Sequence, residues 1–271
     1  MDSSVTWWQA IILGLVQGLT EFIPVSSSAH LNITHWMFGQ DRELAFDLTL
    51  HIGTLLALGF YFRHDWVALL RDAKQKKLRN LVFLACVPAV IAGVLLRDLE
   101  EKLPLFTEVQ FNAIMLIIAG IVLWLADKAG RKQRDIGSIH VMDAVIVGCS
   151  QALALIPGVS RSGATMTAGL ALGLTRESAA RYSFLMSLPI TLGAVGFDLL
   201  KRLPGIQRDG AVAALGAAPA VLLLGVVIAA LSGFWAIGFL LNYLKTRDVT
   251  PFVIWRIAVA MAVLSALALR N

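Results

Sequence analysis

The chain has 271 residues, 58% of them hydrophobic and only 15% charged, with a mean hydropathy of +0.75. An ordinary soluble domain is about one-quarter charged, so that class is excluded and an all-α polytopic membrane protein is expected. The net charge of +5 lies in loops between apolar stretches, which reads as membrane topology and provides no nucleic-acid surface.

The first apolar run, residues 7–23, follows a single early charge, Asp2, and carries Glu21 before any convincing cleavage site, so a removable signal peptide is not expected. It meets Pro24, then Ser26, Ser27 and Ser28, and resumes over 31–38. Segments 46–62, 81–96 and 111–126 follow as candidate spans, judged against the roughly 20 residues needed to cross the hydrocarbon core. Segment 141–156 meets Pro157, Ser160, Ser162 and Thr165 and resumes over 164–174. Spans are then expected over 182–200, 211–244 and 252–269, the second long enough to tilt or break near Pro219. Irregular backbone at membrane depth is tolerated only where it is buried in protein or lines a cavity. The two interrupted segments therefore read as re-entrant helical hairpins beside six transmembrane helices. Cys86 and Cys149 have no paired spacing and read as core residues.

The two interrupted stretches, QGLTEFIPVSSSAH from Gln17 and QALALIPGVSRSGATMT from Gln151, align at a shift of 134: Gln17 on Gln151, Ser26 on Ser160, Ser28 on Ser162. The prolines are one position out of step, the mark of a diverged duplication. With one hairpin and three spans in each half, the halves (about 1–130 and 131–271) should enter the membrane from opposite sides, forming one domain of two inverted-topology repeats. Loops 63–79, 127–140, 175–181 and 245–251 carry 14 Lys and Arg, against 7 in 39–45, 97–110, 201–210 and the end from Arg270. The richer set should be cytoplasmic, although Lys201, Arg202 and Arg208 run against the rule.

An ionisable group in a span marks function by default. Glu21 follows Gln17 by one helical turn, so both face the same way, and their oxygens suit Mg²⁺ or Ca²⁺; a plain ion pair with Arg161 is the structural alternative. His30 has a pKa suited to proton transfer. Arg161, beside a helix start opened by Pro157 and Gly158, offers a planar fork for phosphate, with Ser26, Ser160, Ser162 and Thr165 as further phosphate contacts or caps. His35 and His51 read as structural. Asp47, Asp143, Asp198 and Arg256 read as interhelical partners or interfacial residues. No Walker loop, GxGxxG, HExxH or nucleophile elbow is present.

The motifs QGLTEFIPVSSSAH and PGVSRSGAT resemble the two signatures of the undecaprenyl pyrophosphate phosphatase family, the bacitracin-resistance proteins, over essentially the whole chain. The resemblance implies an integral enzyme of the bacterial plasma membrane, open to the outer face, that hydrolyses undecaprenyl diphosphate to the monophosphate and inorganic phosphate with a divalent cation. It assigns Glu21, Ser27, His30 and Arg161 as the catalytic group and makes Gln17 the uncharged variant of a first-motif metal ligand, implying weaker metal binding. Ser27 or His30 attacks phosphorus, or His30 activates water; the choice stays open. Expected partners are the polyprenyl diphosphate and the membrane, with a homodimer left open. The rival reading is a flippase for polyprenyl phosphate or an anion carrier, which shares the inverted-repeat plan but has less need of an acid and an imidazole.

Overall fold

The computed structural model describes residues 5–40, 43–96, 103–215 and 217–270. Among these residues the chain forms eleven α-helices: α1 (Trp7–Phe22), α2 (Ser27–Met37), α3 (Leu44–Tyr61), α4 (Arg63–Arg71), α5 (Lys76–Leu95), α6 (Val109–Ala129), α7 (Val141–Ala152), α8 (Arg161–Ala171), α9 (Arg176–Leu215), α10 (Pro219–Leu244) and α11 (Thr250–Arg270). Six helical stretches are long and apolar enough to cross a membrane: Leu44–Tyr61, Ala73–Leu95, Val109–Ala129, Arg176–Pro204, Pro219–Leu244 and Thr250–Leu269. These are the six expected spans with shifted ends.

One boundary moves substantially. Residues 201–210 read as a loop because Pro204 and three basic side chains fall there, yet α9 runs through them and takes in residues 211–215. The Asp198 carboxylate accepts a hydrogen bond from Arg202 Nε one turn later at 2.7 Å, a pair that favours continued helix. The next span therefore begins at Pro219, whose fixed φ and missing N–H suit a first helical turn. The 97–110 loop is only partly assessable, since residues 97–102 lie outside the described residues.

Five of the described helices are too short to cross: the nine-residue α4 and four helices of the interrupted segments. α1 has 16 residues, α2 and α8 have 11 each, and α7 has 12; at ~1.5 Å per residue even α1 reaches only about 24 Å, against a core of ~30 Å. They enter the bundle beside the spans. α1 lies along α10, which also packs on α3, while α7 lies along α5 and α6 along α11. Glycine makes the first and third of these approaches close enough. A Cβ on Gly14 would stand 2.8 Å from Gly225 O, and one on Gly148, 134 positions later, 2.4 Å from Ala85 O. Neither position can carry a side chain without moving the neighbouring backbone.

Behind these contacts Phe22, Phe62 and Phe184 form an aromatic core, with Phe22 meeting Phe184 edge-on at 5.5 Å. Large apolar side chains such as Val94, Leu95, Leu200 and Leu231 face outward, as expected where the solvent is lipid. Cys86 is buried, but Cys149 is on the exposed face of α7 and so is no core residue.

The four Lys/Arg-rich loops meet at one end of the bundle. Arg181 pairs with Asp65, Arg176 with Asp127 at 2.6 Å, and Lys128 with Asp248 at 3.0 Å. Hydrogen bonding to Lys128 holds the Asp248 carboxyl below the usual carboxylate range. Loops 63–79, 127–140, 175–181 and 245–251 are thereby joined, so the grouping made from charge corresponds to one physical face.

Candidate active site

Each motif is a helix end, a strained turn and a new helix start. In the first, α1 stops ahead of Pro24 and the chain turns through Ser26, at φ 75°, before Ser27 opens α2. In the second, α7 passes through a short 3₁₀ turn (Leu153–Leu155) to Pro157 and Gly158, at φ 92°, then to Ser160, again at φ 75°, before Arg161 opens α8. Positive φ at a non-glycine costs on the order of 1–3 kcal/mol and persists only when its surroundings impose it. Here both copies keep it, and both place two serine hydroxyls 3.2 Å apart, Ser26 with Ser28 and Ser160 with Ser162.

Arg256 of α11 imposes the turns. Its side chain is fully buried and donates to carbonyl oxygens of three segments: Leu116 O of α6 at 3.0 Å, Pro24 O at 3.1 Å, and Gly158 O and Val159 O at 2.7 and 3.2 Å. A helix break orphans carbonyls, and the planar guanidinium satisfies orphans from both breaks at once. Gly163 leaves room for it, since a Cβ there would lie 3.2 Å from Arg256 Nη1. Arg256 is thus more than the interhelical or interfacial residue the sequence implied.

A cavity of about 330 Å³ opens where the two turns meet, and its polar wall includes Glu21, Ser26, Ser27, Ser160, Arg161 and His51. Glu21 is the hub. Its Oε1 accepts from Arg161 Nη2; its Oε2 accepts from Ser27 Oγ at 2.6 Å and from Gln17 Nε2 at 3.1 Å. The second arm of Arg161 donates to Thr191 Oγ1 of α9 at 2.5 Å. Residues 140 positions apart in sequence are therefore joined in one ion pair.

Several expected site residues sit elsewhere. His30 does not line the cavity: Nδ1 lies 2.8 Å from Ser26 O and must donate to it, while Nε2 accepts the Trp255 indole N–H at 2.9 Å. Both ring nitrogens are committed to holding the turn. Thr165 turns back to Arg161 O at 2.8 Å and to Ser183 Oγ at 2.6 Å, and Ser162 faces Glu21 O at 3.4 Å, so neither reaches the cavity. Ser160 does, while also capping α8 by accepting from the Gly163 N–H at 3.1 Å.

The imidazole on the cavity is His51. Its Nδ1 lies 3.0 Å from Asp47 O and so donates, leaving Nε2 toward Glu21 Oε2 at 3.7 Å. Sequence reasoning passed over His51 for want of a polar neighbour, although an ionisable residue inside a span is itself the signal. His35 is structural as expected, 3.0 Å from Asp47 Oδ1. For a metal, the described residues contain no group of three or more His, Cys, Asp or Glu. The donors that fit a hard cation are Glu21 and Gln17 Oε1, which is buried and without a hydrogen-bond partner.

The family model described as bacitracin resistance protein BacA matches residues 10–262. The chain belongs to the BacA family. A relative named undecaprenyl-diphosphatase in Gemmatimonas aurantiaca is 44% identical, the match covering 98% of this chain and 100% of that protein. Relatives of the same name in Moorella thermoacetica and Pelotomaculum thermopropionicum are 43% and 41% identical, again over 98% of this chain. The BacA match takes in both turns, the cavity and Arg256.

Proposed function

We propose that the chain is an integral membrane phosphatase that hydrolyses undecaprenyl diphosphate to undecaprenyl phosphate and inorganic phosphate, recycling the lipid carrier of cell-wall synthesis and so conferring bacitracin resistance. The observation that carries the proposal is the Arg161–Glu21–Ser27 chain on the cavity wall, in a family whose relatives bear the diphosphatase name. A flippase or anion carrier would need the cation without a serine hydroxyl bonded to a buried carboxylate.

In this mechanism Arg161 exchanges part of its contact with Glu21 for the diphosphate and spreads the charge developing at the β-phosphorus. Ser27 Oγ attacks that phosphorus and its proton passes to Glu21 Oε2. The bridging P–O bond breaks and polyprenyl phosphate leaves. Water then attacks the phosphoserine, the P–Oγ bond breaks, and Ser27 takes its proton back from Glu21. One water proton stays on the released phosphate and the other goes to solvent. His51 Nε2 stands beside the same carboxylate oxygen and steadies its charge, while His30 holds the Ser26 turn that aims Ser27. Glu21 and Gln17 Oε1, with oxygens of the substrate, would hold Mg²⁺ or Ca²⁺, which when bound adds positive charge against the diphosphate.

The halves 1–130 and 131–271 form inverted repeats in this reading, with α1–α2 and α7–α8 as the re-entrant hairpins; the matched turns and the equal lengths of α2 and α8 support it. The Lys/Arg-rich face is cytoplasmic, and the cavity opens to the outer face of the plasma (inner) membrane. The outward apolar faces of the helices meet lipid or, in a homodimer, a second copy of the chain.

Three measurements test the proposal. Purified protein in detergent should release phosphate from undecaprenyl diphosphate, and Arg161→Lys should stay folded yet lose most turnover, because the charge survives but the fork does not; no release, or full activity of Arg161→Lys, refutes it. Chelation should abolish turnover and Gln17→Glu should lower the metal concentration that restores it; activity indifferent to chelators removes the metal. In a chain freed of Cys86 and Cys149, an impermeant thiol reagent applied outside cells should label a cysteine at Leu105 and not one at Lys76, and the reverse pattern would invert the orientation.

A further inference from the structure

Gln151 occupies in the second motif the place Gln17 holds in the first, and the two amides are treated differently. Gln17 Nε2 donates to Glu21. The Gln151 side chain is 3% exposed, lines the same cavity as Arg161, Ser160 and Ser27, and neither its Nε2 nor its Oε1 has a hydrogen-bond partner. Burying one unsatisfied polar group costs about 1–3 kcal/mol, and native proteins rarely leave such groups without a reason. Leucine or methionine would fill the space without that cost.

Among the described residues nothing else on the cavity wall combines a donor and an acceptor with both left unused. The Glu21 carboxylate is engaged on both oxygens and the Arg161 guanidinium on both arms. Both serve as counter-charges. What they do not supply is a neutral group that tells a phosphoryl oxygen from the water beside it. A carboxamide does so, because Nε2 can only donate and Oε1 can only accept.

We infer that Gln151 is a substrate-contacting residue of the hydrolytic step: Nε2 donates to a non-bridging oxygen of the terminal phosphoryl group, and Oε1 accepts a hydrogen bond from the water that attacks phosphorus, fixing its approach. This rests on the phosphatase reading above. The covalent balance is the one given there, since Gln151 neither gains nor loses a proton. Its contribution is positional, in the way an amide can orient an attacking water in phosphoryl transfer.

The experiment follows from the missing partners. Because the amide bonds nothing in the protein, Gln151→Met, of nearly the same shape, should unfold in detergent at or above the wild-type temperature. Its kcat/KM for undecaprenyl diphosphate should nonetheless fall about a hundredfold, the usual loss on removing one aimed donor, and the thermal stabilisation produced by inorganic pyrophosphate should shrink. Gln151→Glu, which keeps the shape but sets a carboxylate against the phosphates, should lose more activity and all of the pyrophosphate effect. The inference is overturned if Gln151→Met keeps wild-type kcat/KM and wild-type stabilisation by pyrophosphate, or if it melts lower and loses activity only as folded protein is lost. Wild-type protein that releases no phosphate would sink the phosphatase reading instead, and the pyrophosphate shift would still decide whether Gln151 meets a diphosphate.

Discussion

The buried guanidinium of Arg256 is the constraint on which the site depends. Breaking a helix inside a membrane bundle orphans backbone carbonyls, and no water is at hand to satisfy them. Arg256 reaches the orphans of both breaks, Pro24 O on one side and Gly158 O and Val159 O on the other, and anchors them to Leu116 O of a spanning helix. A buried cation is expensive alone and tolerable when its donors are met. Here the same contacts that satisfy it also bring two distant turns together. Trp255, its neighbour in sequence, holds His30 against the first turn, so adjacent residues of α11 fix both the backbone and the imidazole of that loop.

Once the turns are joined, the electrostatics of the cavity follow. Glu21 comes from one motif and Arg161 from the other, and each neutralises its partner while the cavity is without an anion. In the proposed mechanism a diphosphate changes that arrangement. It competes for the guanidinium, loosens the carboxylate, and leaves Glu21 Oε2 bonded to the Ser27 hydroxyl and therefore available as a base. In the proposed mechanism the ion pair and a catalytic role for its members are two states of one network, so pairing and chemistry do not exclude one another.

Much of this was legible in the chain because punctuation is local. A proline followed by serines, with the serines recurring 134 positions apart, marked both breaks, and the Lys/Arg bias grouped the loops that the Arg181–Asp65, Arg176–Asp127 and Lys128–Asp248 pairs join. What was not legible depends on direction and depth. His30 lies near Ser27 in sequence, yet its ring turns to Ser26 O and Trp255, whereas His51, alone on an apolar helix, turns to Glu21. The extent of α9 was hidden because Pro204 and its basic neighbours look like a loop unless the Asp198–Arg202 pair is foreseen. Arg256 read only as an interhelical or interfacial residue because its partners are carbonyl oxygens, which no side-chain pattern announces.

Two motifs 134 positions apart meet in a single ion pair, and a double-mutant cycle on Glu21 and Arg161 tests that meeting most directly. Thermal or denaturant stability would be measured in detergent for wild type, Glu21→Gln, Arg161→Gln and the double variant. Coupled residues in one network show interaction energies of about 0.5–3 kcal/mol, whereas independent sites add to within about 0.3–0.5 kcal/mol. The structure predicts coupling above about 1 kcal/mol, with the double variant more stable than the sum of the two single losses implies. Additive losses would mean that Glu21 and Arg161 do not meet, and the shared site would fall with them.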